Sequence, residues 1–175
     1  MPARHICFSH GQESGPWGTK IRALADAARE SGWSVESLDY RGMDDPHARV
    51  AKLAAYCRDY GAPVALAGSS MGGFVAAAVA AQLPARGLFL MAPAFYVPGY
   101  EQYVPPPPAC PVSIVHGWRD DVVPWEGSVR YGSACRARLT LLDGDHRLTG
   151  SLPDVLRLFR MFIAGLDPQE KEAET

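Results

Sequence analysis

Ser70 lies in a Gly-x-Ser-x-Gly pattern formed with Gly68 and Gly72. This pattern is typical of a serine on a sharp turn between a strand and a helix, where its hydroxyl points away from the sheet. Backbone crowds the positions two residues before and after such a serine, so both favour glycine. The spacing selects Ser70 over Ser69, whose neighbours at the same distance are not glycines. The pattern therefore predicts a nucleophile that attacks a carbonyl carbon.

A serine hydroxyl is a weak nucleophile until a base accepts its proton, and histidine is the usual base. Of the five histidines, we favour His146, which lies in a polar loop late in the chain. His5 lies inside an apolar run and is expected to pack in the core. His47 comes at a predicted helix start and is expected to face solvent. His10 and His116 each precede a glycine at a strand end, which indicates a structural or oxyanion-loop role.

The base works best when a carboxylate fixes its tautomer, and four aspartates compete for this role. They are Asp120, Asp121, Asp143 and Asp145, all between Ser70 and His146 or next to it. Each of them also fits a solvated loop carboxylate or a helix cap. Asp145 adjoins His146, and neighbouring side chains of an extended loop diverge, so it is a poor orienting group. The residue types alone leave the acid among the others open.

The negative oxygen formed during acyl transfer needs two hydrogen-bond donors. The backbone N–H of Met71, directly after Ser70, is one expected donor, because a helix starting there directs N–H groups and a positive dipole end to this point. The loop after the first strand supplies the other, and the backbone N–H of Gln12, after His10 and Gly11, has the best position. An ordinary turn is the alternative for this loop.

Six short apolar runs alternate with helical patterns, which indicates a parallel sheet covered by helices on both faces. The predicted strands span residues 5–9, 33–39, 64–67, 87–91, 112–115 and 139–142. The predicted helices span residues 19–31, 46–60, 74–83 and 152–166, and a short one ends near residue 133. Ligands of such sheets bind beyond the carboxyl ends of the strands. His10, Ser70, Asp120 and His146 all follow strands, so they share this edge.

The composition is that of an ordinary globular protein of 175 residues, with 47% hydrophobic and 21% charged residues and a formal net charge of -2. This charge argues against a nucleic acid or an anionic membrane as partner. We expect no secretory signal, no membrane span, and a cytoplasmic protein whose four scattered cysteines stay free thiols. We expect one domain over residues 1–166 and a flexible polar tail over residues 167–175. No metal or cofactor is implied.

Residues 92–110 are rich in proline and aromatic residues and are predicted to form a short lid rather than a regular element. We assign four rings to substrate binding: Phe95, Tyr96, Tyr100 and Trp118. Trp17, Tyr103 and Trp125 are expected to extend the same apolar wall, which suits an acyl chain or an aromatic leaving group. The alternative is that each ring packs its loop onto the body of the protein.

Four motifs resemble those of the serine α/β hydrolases and extend over nearly the whole chain. They are His10-Gly11, Gly68-x-Ser70-x-Gly72-Gly73, His116-Gly117-x-x-Asp120-x-x-Val123-Pro124 and Asp145-His146-Arg147. The resemblance implies that Asp120 is the acid of a Ser70, Asp120 and His146 triad. It also implies a three-layer α/β/α fold that lacks the family's first two strands. The remaining parallel sheet then has six strands in the order 2-1-3-4-5-6 and carries a short lid.

The chain is similar to small bacterial esterases and to the branch with acyl-protein thioesterases and acyl-glucuronide esterases. This resemblance implies a serine esterase or thioesterase that cleaves a small-molecule ester or thioester through an acyl-Ser70 intermediate. One alternative is a catalytically silent protein of the same fold that only binds a ligand. Another is a nucleotide-binding protein with residues 68–73 as a phosphate cradle, which the absence of the usual glycine-rich fingerprints disfavours. The acyl group and the oligomeric state are not specified by the sequence.

Overall fold

The structure, a computed structural model, describes residues 4–98 and 101–167. The strands are β1 His5–Ser9, β2 Ser34–Leu38, β3 Val64–Ser69, β4 Ala85–Met91, β5 Val112–Gly117 and β6 Arg138–Leu142. The α-helices are α1 Thr19–Glu30, α2 Pro46–Tyr60, α3 Met71–Ala80, α4 Trp125–Cys135 and α5 Leu152–Leu166. Short 3₁₀ turns span Glu101–Tyr103 and Thr149–Ser151.

The six strands form one parallel sheet in the order β2-β1-β3-β4-β5-β6, as predicted. The register aligns the carboxyl ends of neighbouring strands. Ser9 pairs with Gly68, and Gly117 pairs with Leu142. The loops that follow β1, β3, β5 and β6 therefore begin side by side at one edge. This edge is where the candidate residues were expected.

The sheet separates two hydrophobic layers, which confirms the three-layer architecture. Along β1, Ile6 and Phe8 belong to the layer that contains α1 and α5, and Cys7 belongs to the layer that contains α2, α3 and α4. This alternation follows from the period of two residues along a strand. Phe159 of α5 contacts both Phe8 and Phe89, with ring centroids 6.1 and 5.2 Å apart. Both faces are covered, so a ligand can approach only at the edges.

Helix boundaries follow the capping residues, with one informative difference. The Asp45 carboxylate accepts the His47 N–H at the start of α2, and Gly61 adopts a left-handed conformation at its end, as the sequence indicates. The third helix starts at Met71 rather than at residue 74 and ends at Ala80 rather than at residue 83. The reason is that β3 continues to Ser69, which leaves only Ser70 between strand and helix.

The structure also bears on the state of the cysteines and on membrane-spanning helices. Cys7, Cys57, Cys110 and Cys135 are all free thiols, as expected from their spacing. Across residues 4–98 and 101–167, none of the helices combines the length and the apolar character needed to cross a bilayer.

Candidate active site

Ser70 occupies the turn between β3 and α3 in a strained conformation, with φ 55° and ψ -122°. Such a conformation costs a non-glycine residue about 1–3 kcal/mol and persists only where the surrounding structure enforces it. The glycines are required by close backbone packing. A β-carbon on Gly68 would collide with the Gly72 carbonyl, and one on Gly72 would collide with the Ser9 carbonyl. This packing explains both glycines without a bound phosphate.

A chain of hydrogen bonds links Ser70 to a histidine and an aspartate. The Nε2 atom of His146 lies 3.1 Å from the Ser70 hydroxyl oxygen. Its Nδ1 atom lies 2.7 Å from Oδ2 of Asp120. Because a carboxylate only accepts, Nδ1 carries the proton, and Nε2 presents a lone pair to the Ser70 hydroxyl. The imidazole therefore has the tautomer that a general base needs.

The Asp120 carboxylate is fully buried and accepts four hydrogen bonds. Its Oδ1 accepts the N–H groups of Val122 and Val123 at 2.9 and 2.8 Å, and its Oδ2 accepts from His146 and His116. Burial alone would raise the pKa of this carboxyl group. The hydrogen bonds from Val123, His146 and Val122 outweigh burial and lower the pKa of Asp120 below its ordinary value. The group is therefore an anion that faces His146.

His116 is a second histidine on the same carboxylate oxygen, a role that the sequence did not reveal. Its Nε2 lies 2.8 Å from Asp120 Oδ2 and 3.1 Å from the Val123 carbonyl, and its Nδ1 lies 2.7 Å from the Ser128 hydroxyl. Two acceptors at Nε2 require the proton there, so Ser128 donates to Nδ1. Burial lowers the pKa of His116, against the opposing effect of Asp120, so this histidine is neutral. It holds Asp120 through the same oxygen that His146 contacts.

The competing aspartates are engaged elsewhere or exposed. Asp143 forms an ion pair with Arg119 at 2.6 Å. The Asp145 carboxylate accepts the N–H of Leu148 at 3.0 Å, so it organises its own loop. Asp121 is exposed. Only Asp120 among the four hydrogen-bonds His146.

The loop after β1 is held by groups buried beneath it. His10 donates from Nδ1 to the Gly11 carbonyl at 2.7 Å and accepts the Tyr40 N–H at Nε2. The buried Arg49 side chain of α2 bonds the carbonyls of His10 and Gly11 at 3.3 Å each and that of Met43 at 2.6 Å. The sequence analysis did not single out Arg49. Its position in the sequence, one helical turn before the core residue Leu53, could have indicated that it faces the core.

These bonds orient the peptide between Gly11 and Gln12. In a trans peptide, the C=O and N–H groups point in opposite directions. With the Gly11 carbonyl held by His10 and Arg49 on the inner side, the N–H of Gln12 points to the other side. Gly11 is in van der Waals range of Ser70, since a β-carbon placed on it would lie 3.5 Å from that of Ser70. Met71 is the first residue of α3, so its N–H has no acceptor within the helix.

Ser70 and His146 open into a cleft of about 620 Å³. The described residues that line it come from five short segments: residues 11–15, residues 18–21, Ser69 with Ser70, Asp121 with Val122, and residues 145–147 with Thr149. Most of these residues are polar or glycine. The loop after β1 and the start of α1 thus form the largest part of its wall, which the sequence analysis did not predict.

The structure places the described rings of the predicted aromatic wall outside the cleft lining. Phe95 is buried against Tyr131 of α4, with ring centroids 4.1 Å apart, and Tyr96 lies beside Arg130. Trp118 packs edge-on against Trp125 with half of its surface exposed. None of Phe95, Tyr96 and Trp118 lines the cleft.

The physical reason is that large apolar rings pack into the layer beneath α4 or onto each other, which removes more of their surface from water than a cleft wall would. The other three described rings of the wall, Trp17, Tyr103 and Trp125, are likewise absent from the cleft lining. Tyr100 lies outside the described residues.

No group of three or more His, Cys, Asp or Glu side chains within residues 4–98 and 101–167 is arranged to hold a metal ion.

A sequence model of the alpha/beta hydrolase family matches residues 8–173 of the chain. The chain belongs to the alpha/beta hydrolase family. Membership of this family supports hydrolase activity. No protein of curated function matched the sequence.

Solved structures agree with this assignment. A protein assigned to the hydrolases of the alpha/beta superfamily from Xanthomonas campestris pv. campestris is 34% identical, with a TM-score of 0.86 over 94% of this hydrolase and 99% of that chain. Est1E from Butyrivibrio proteoclasticus is 18% identical, with a TM-score of 0.80 over 94% of this chain and 88% of its own. The Paleococcus ferrophilus monoacylglycerol lipase is 15% identical, with a TM-score of 0.77 over 95% and 96%. The last two similarities describe the fold alone.

Proposed function

We propose that this protein is a serine hydrolase that cleaves carboxylic ester or thioester bonds of small molecules through an acyl-Ser70 intermediate. The observation that carries the proposal is the hydrogen-bonded chain of Ser70, His146 and Asp120, with distances of 3.1 and 2.7 Å. The strained conformation of Ser70 supports it, because such strain at an exposed hydroxyl is typical of functional residues.

In the first half of the reaction, the Ser70 oxygen attacks the substrate carbonyl while His146 accepts the hydroxyl proton at Nε2. The buried Asp120 carboxylate stabilises the imidazolium that forms. The tetrahedral intermediate collapses, the bond to the alcohol or thiol breaks, and His146 donates the proton to this leaving group. The acyl group stays on Ser70.

In the second half, water replaces the leaving group. His146 takes a proton from the water, whose oxygen attacks the acyl-Ser70 carbonyl, and returns the proton to Ser70 as the acid is released. We assign the backbone N–H groups of Met71 and Gln12 as donors to the oxyanion in both halves. The orientation of the Gln12 N–H, opposite to the Gly11 carbonyl held by Arg49, supports this assignment.

Oxygen and sulfur esters require the same groups, so the proposal covers both. The steps use no metal and no cofactor. The free thiols of all four cysteines support the expected location in a reducing cytoplasm.

Labelling with a fluorophosphonate tests the proposal. We expect one adduct, on Ser70 by peptide mapping, in the wild-type protein and none in Ser70→Ala, with kcat for simple esters reduced at least about 10³-fold in that variant. A folded sample that hydrolyses no ester and labels no serine would instead favour a ligand-binding protein without catalysis.

A further inference from the structure

Lys20 is the second residue of α1, and it lines the same cleft as Ser70 and His146. Its side chain is half-buried. Within residues 4–98 and 101–167, its ammonium group forms no hydrogen bond and no ion pair with another side chain. A cation that is partly removed from water without a partner is unfavourable. Its presence in the cleft therefore calls for an explanation.

Other cations removed from water in this protein have partners supplied by the chain. Arg49 is buried and bonds three backbone carbonyls. Arg86, with 11% of its side chain exposed, bonds the Leu166 carbonyl at 3.0 Å. Lys20 differs because it lines the cleft and forms no such bond within the described residues.

The other charged residues of the cleft wall lie nearer to solvent. Glu13, Asp121, Asp145 and Arg147 are all exposed, so Lys20 is the least exposed of the five. Burial lowers the pKa of Lys20 to about 8, against the raising effect of Asp145 and Asp120, and Arg147 adds to the lowering. At pH 7 the amine is therefore mostly a cation, without a fixed counter-ion from the chain.

We propose that Lys20 binds a negatively charged group of the substrate, so that this hydrolase prefers esters or thioesters that also carry a free carboxylate. This inference rests on the proposed function. A monoanion fits better than a phosphate dianion, because the cations Lys20 and Arg147 share the cleft wall with three exposed carboxylates. Hydrogen bonds between charged partners are among the stronger ones, so the charge can determine substrate choice.

The kinetic test compares matched esters that differ in one charge. Monomethyl and dimethyl glutarate place the carboxylate on the acyl part, and 4-acetoxybenzoate and its methyl ester place it on the leaving group. The readout is the ratio of kcat/KM for the anionic ester to that for the neutral ester. For one of the two pairs, we expect this ratio to be about tenfold or more lower in Lys20→Met than in the wild type. In Lys20→Arg the ratio should be close to the wild-type value.

Two controls accompany the variants. Lys52→Met removes a lysine outside the cleft and should leave the ratio unchanged. In the wild-type protein, the ratio should fall towards that of Lys20→Met between pH 7 and pH 9.5, because Lys20 loses its proton in this range. Equal ratios for wild type and Lys20→Met in both pairs would overturn the proposal.

A binding measurement separates this proposal from the proposed function. Isothermal titration of Ser70→Ala with monomethyl and dimethyl glutarate, and with the two acetoxybenzoates, needs no turnover. We expect the anion of one pair to bind about tenfold more tightly than its neutral partner, and the difference to vanish in Ser70→Ala with Lys20→Met. If the fluorophosphonate does not label Ser70 but the anionic ester still binds more tightly, only the proposed catalysis is refuted. Ser70 labelling without any preference would refute only the role of Lys20.

Discussion

The segments that follow β4 and β5 leave neighbouring strands at the same edge of the sheet, and they use this position differently. Residues 118–124, after β5, bring Asp120 to His146 and place Asp121 and Val122 in the cleft wall. Residues 92–111, after β4, contain four of the predicted aromatic residues, and Phe95 turns into the layer beneath α4. No described residue of this second segment lines the cleft, so equal access to the edge does not make each segment part of its wall.

The difference follows from what each side chain needs. A buried carboxylate must be surrounded by donors, and Asp120 finds four where two strand ends meet. An aromatic ring needs only contact with apolar atoms, which the packed layer offers in larger measure than an open cleft. We expect the loss of the Asp120 carboxylate to change catalysis and the loss of the buried Phe95 ring to change stability, and the following variants test this contrast.

The largest effect is expected for Asp120→Asn. The amide cannot match the carboxylate as an acceptor for His146, so the imidazole loses its tautomer and its support, and kcat should fall about 10⁴-fold. Asp121→Asn is the matched control, and its kcat should stay within about threefold of wild type. Steady-state kinetics on a neutral ester measures both. Equal losses in the two variants would remove Asp120 from the site.

Phe95→Ala should act on stability instead. Removing a buried ring that packs on Tyr131 should lower the free energy of unfolding by roughly 3–5 kcal/mol. Below the melting transition, kcat/KM should stay within about threefold of wild type. Urea denaturation measures the free energy of unfolding, and ester kinetics measures kcat/KM. Tyr103 is partly exposed, so the control Tyr103→Ala should lower the free energy of unfolding by about 1 kcal/mol or less. A large rise in KM at full folding would return Phe95 to the substrate site.

The buried histidines should make stability depend on pH. Burial lowers the pKa of His5, His10 and His116 in the folded protein, whereas an unfolded histidine titrates near ~6.5. At a pH between the folded-state and unfolded-state pKa values, the unfolded chain binds more protons than the folded protein. The free energy of unfolding should therefore fall as the pH drops below about 6.5, by up to about 1.4 kcal/mol per pH unit for each group.

Denaturation midpoints from pH 8 to pH 5 measure this slope, and His116→Gln should make it shallower by one group's contribution. Stability that is constant or rises toward pH 5 would contradict the lowered pKa values of these side chains.

The smallest effect is expected for Trp118→Ala. This ring lies after β5, but it is half exposed and contacts mainly Trp125. Loss of the pair should lower the free energy of unfolding by about 1 kcal/mol and leave kcat/KM within about threefold. Thermal denaturation and ester kinetics measure the two. A tenfold drop in kcat/KM would show that rings after β5 do contribute to the cleft.

The fold and the central chemistry were accessible from the sequence because they depend on local patterns. Apolar runs alternating with amphipathic segments predict the order of elements, and the caps at Asp45 and Gly61 mark helix ends. The Gly68, Ser70 and Gly72 spacing predicts the strained turn, since only glycine tolerates the backbone contacts there. The choice of Asp120 needed the resemblance to a family, because four aspartates had similar local settings.

The tertiary structure decided which side chains face the cleft. Three side chains meet groups from other parts of the fold. Arg49 bonds the carbonyls of His10 and Gly11, Lys20 shares a cleft with Ser70, and His116 shares the Asp120 carboxylate with His146. Phe95, after β4, packs into the core for the same reason. Local sequence determines the element in which a residue lies. Competition for burial and for hydrogen-bond partners, which is settled only when the layers pack, determines what its side chain contacts.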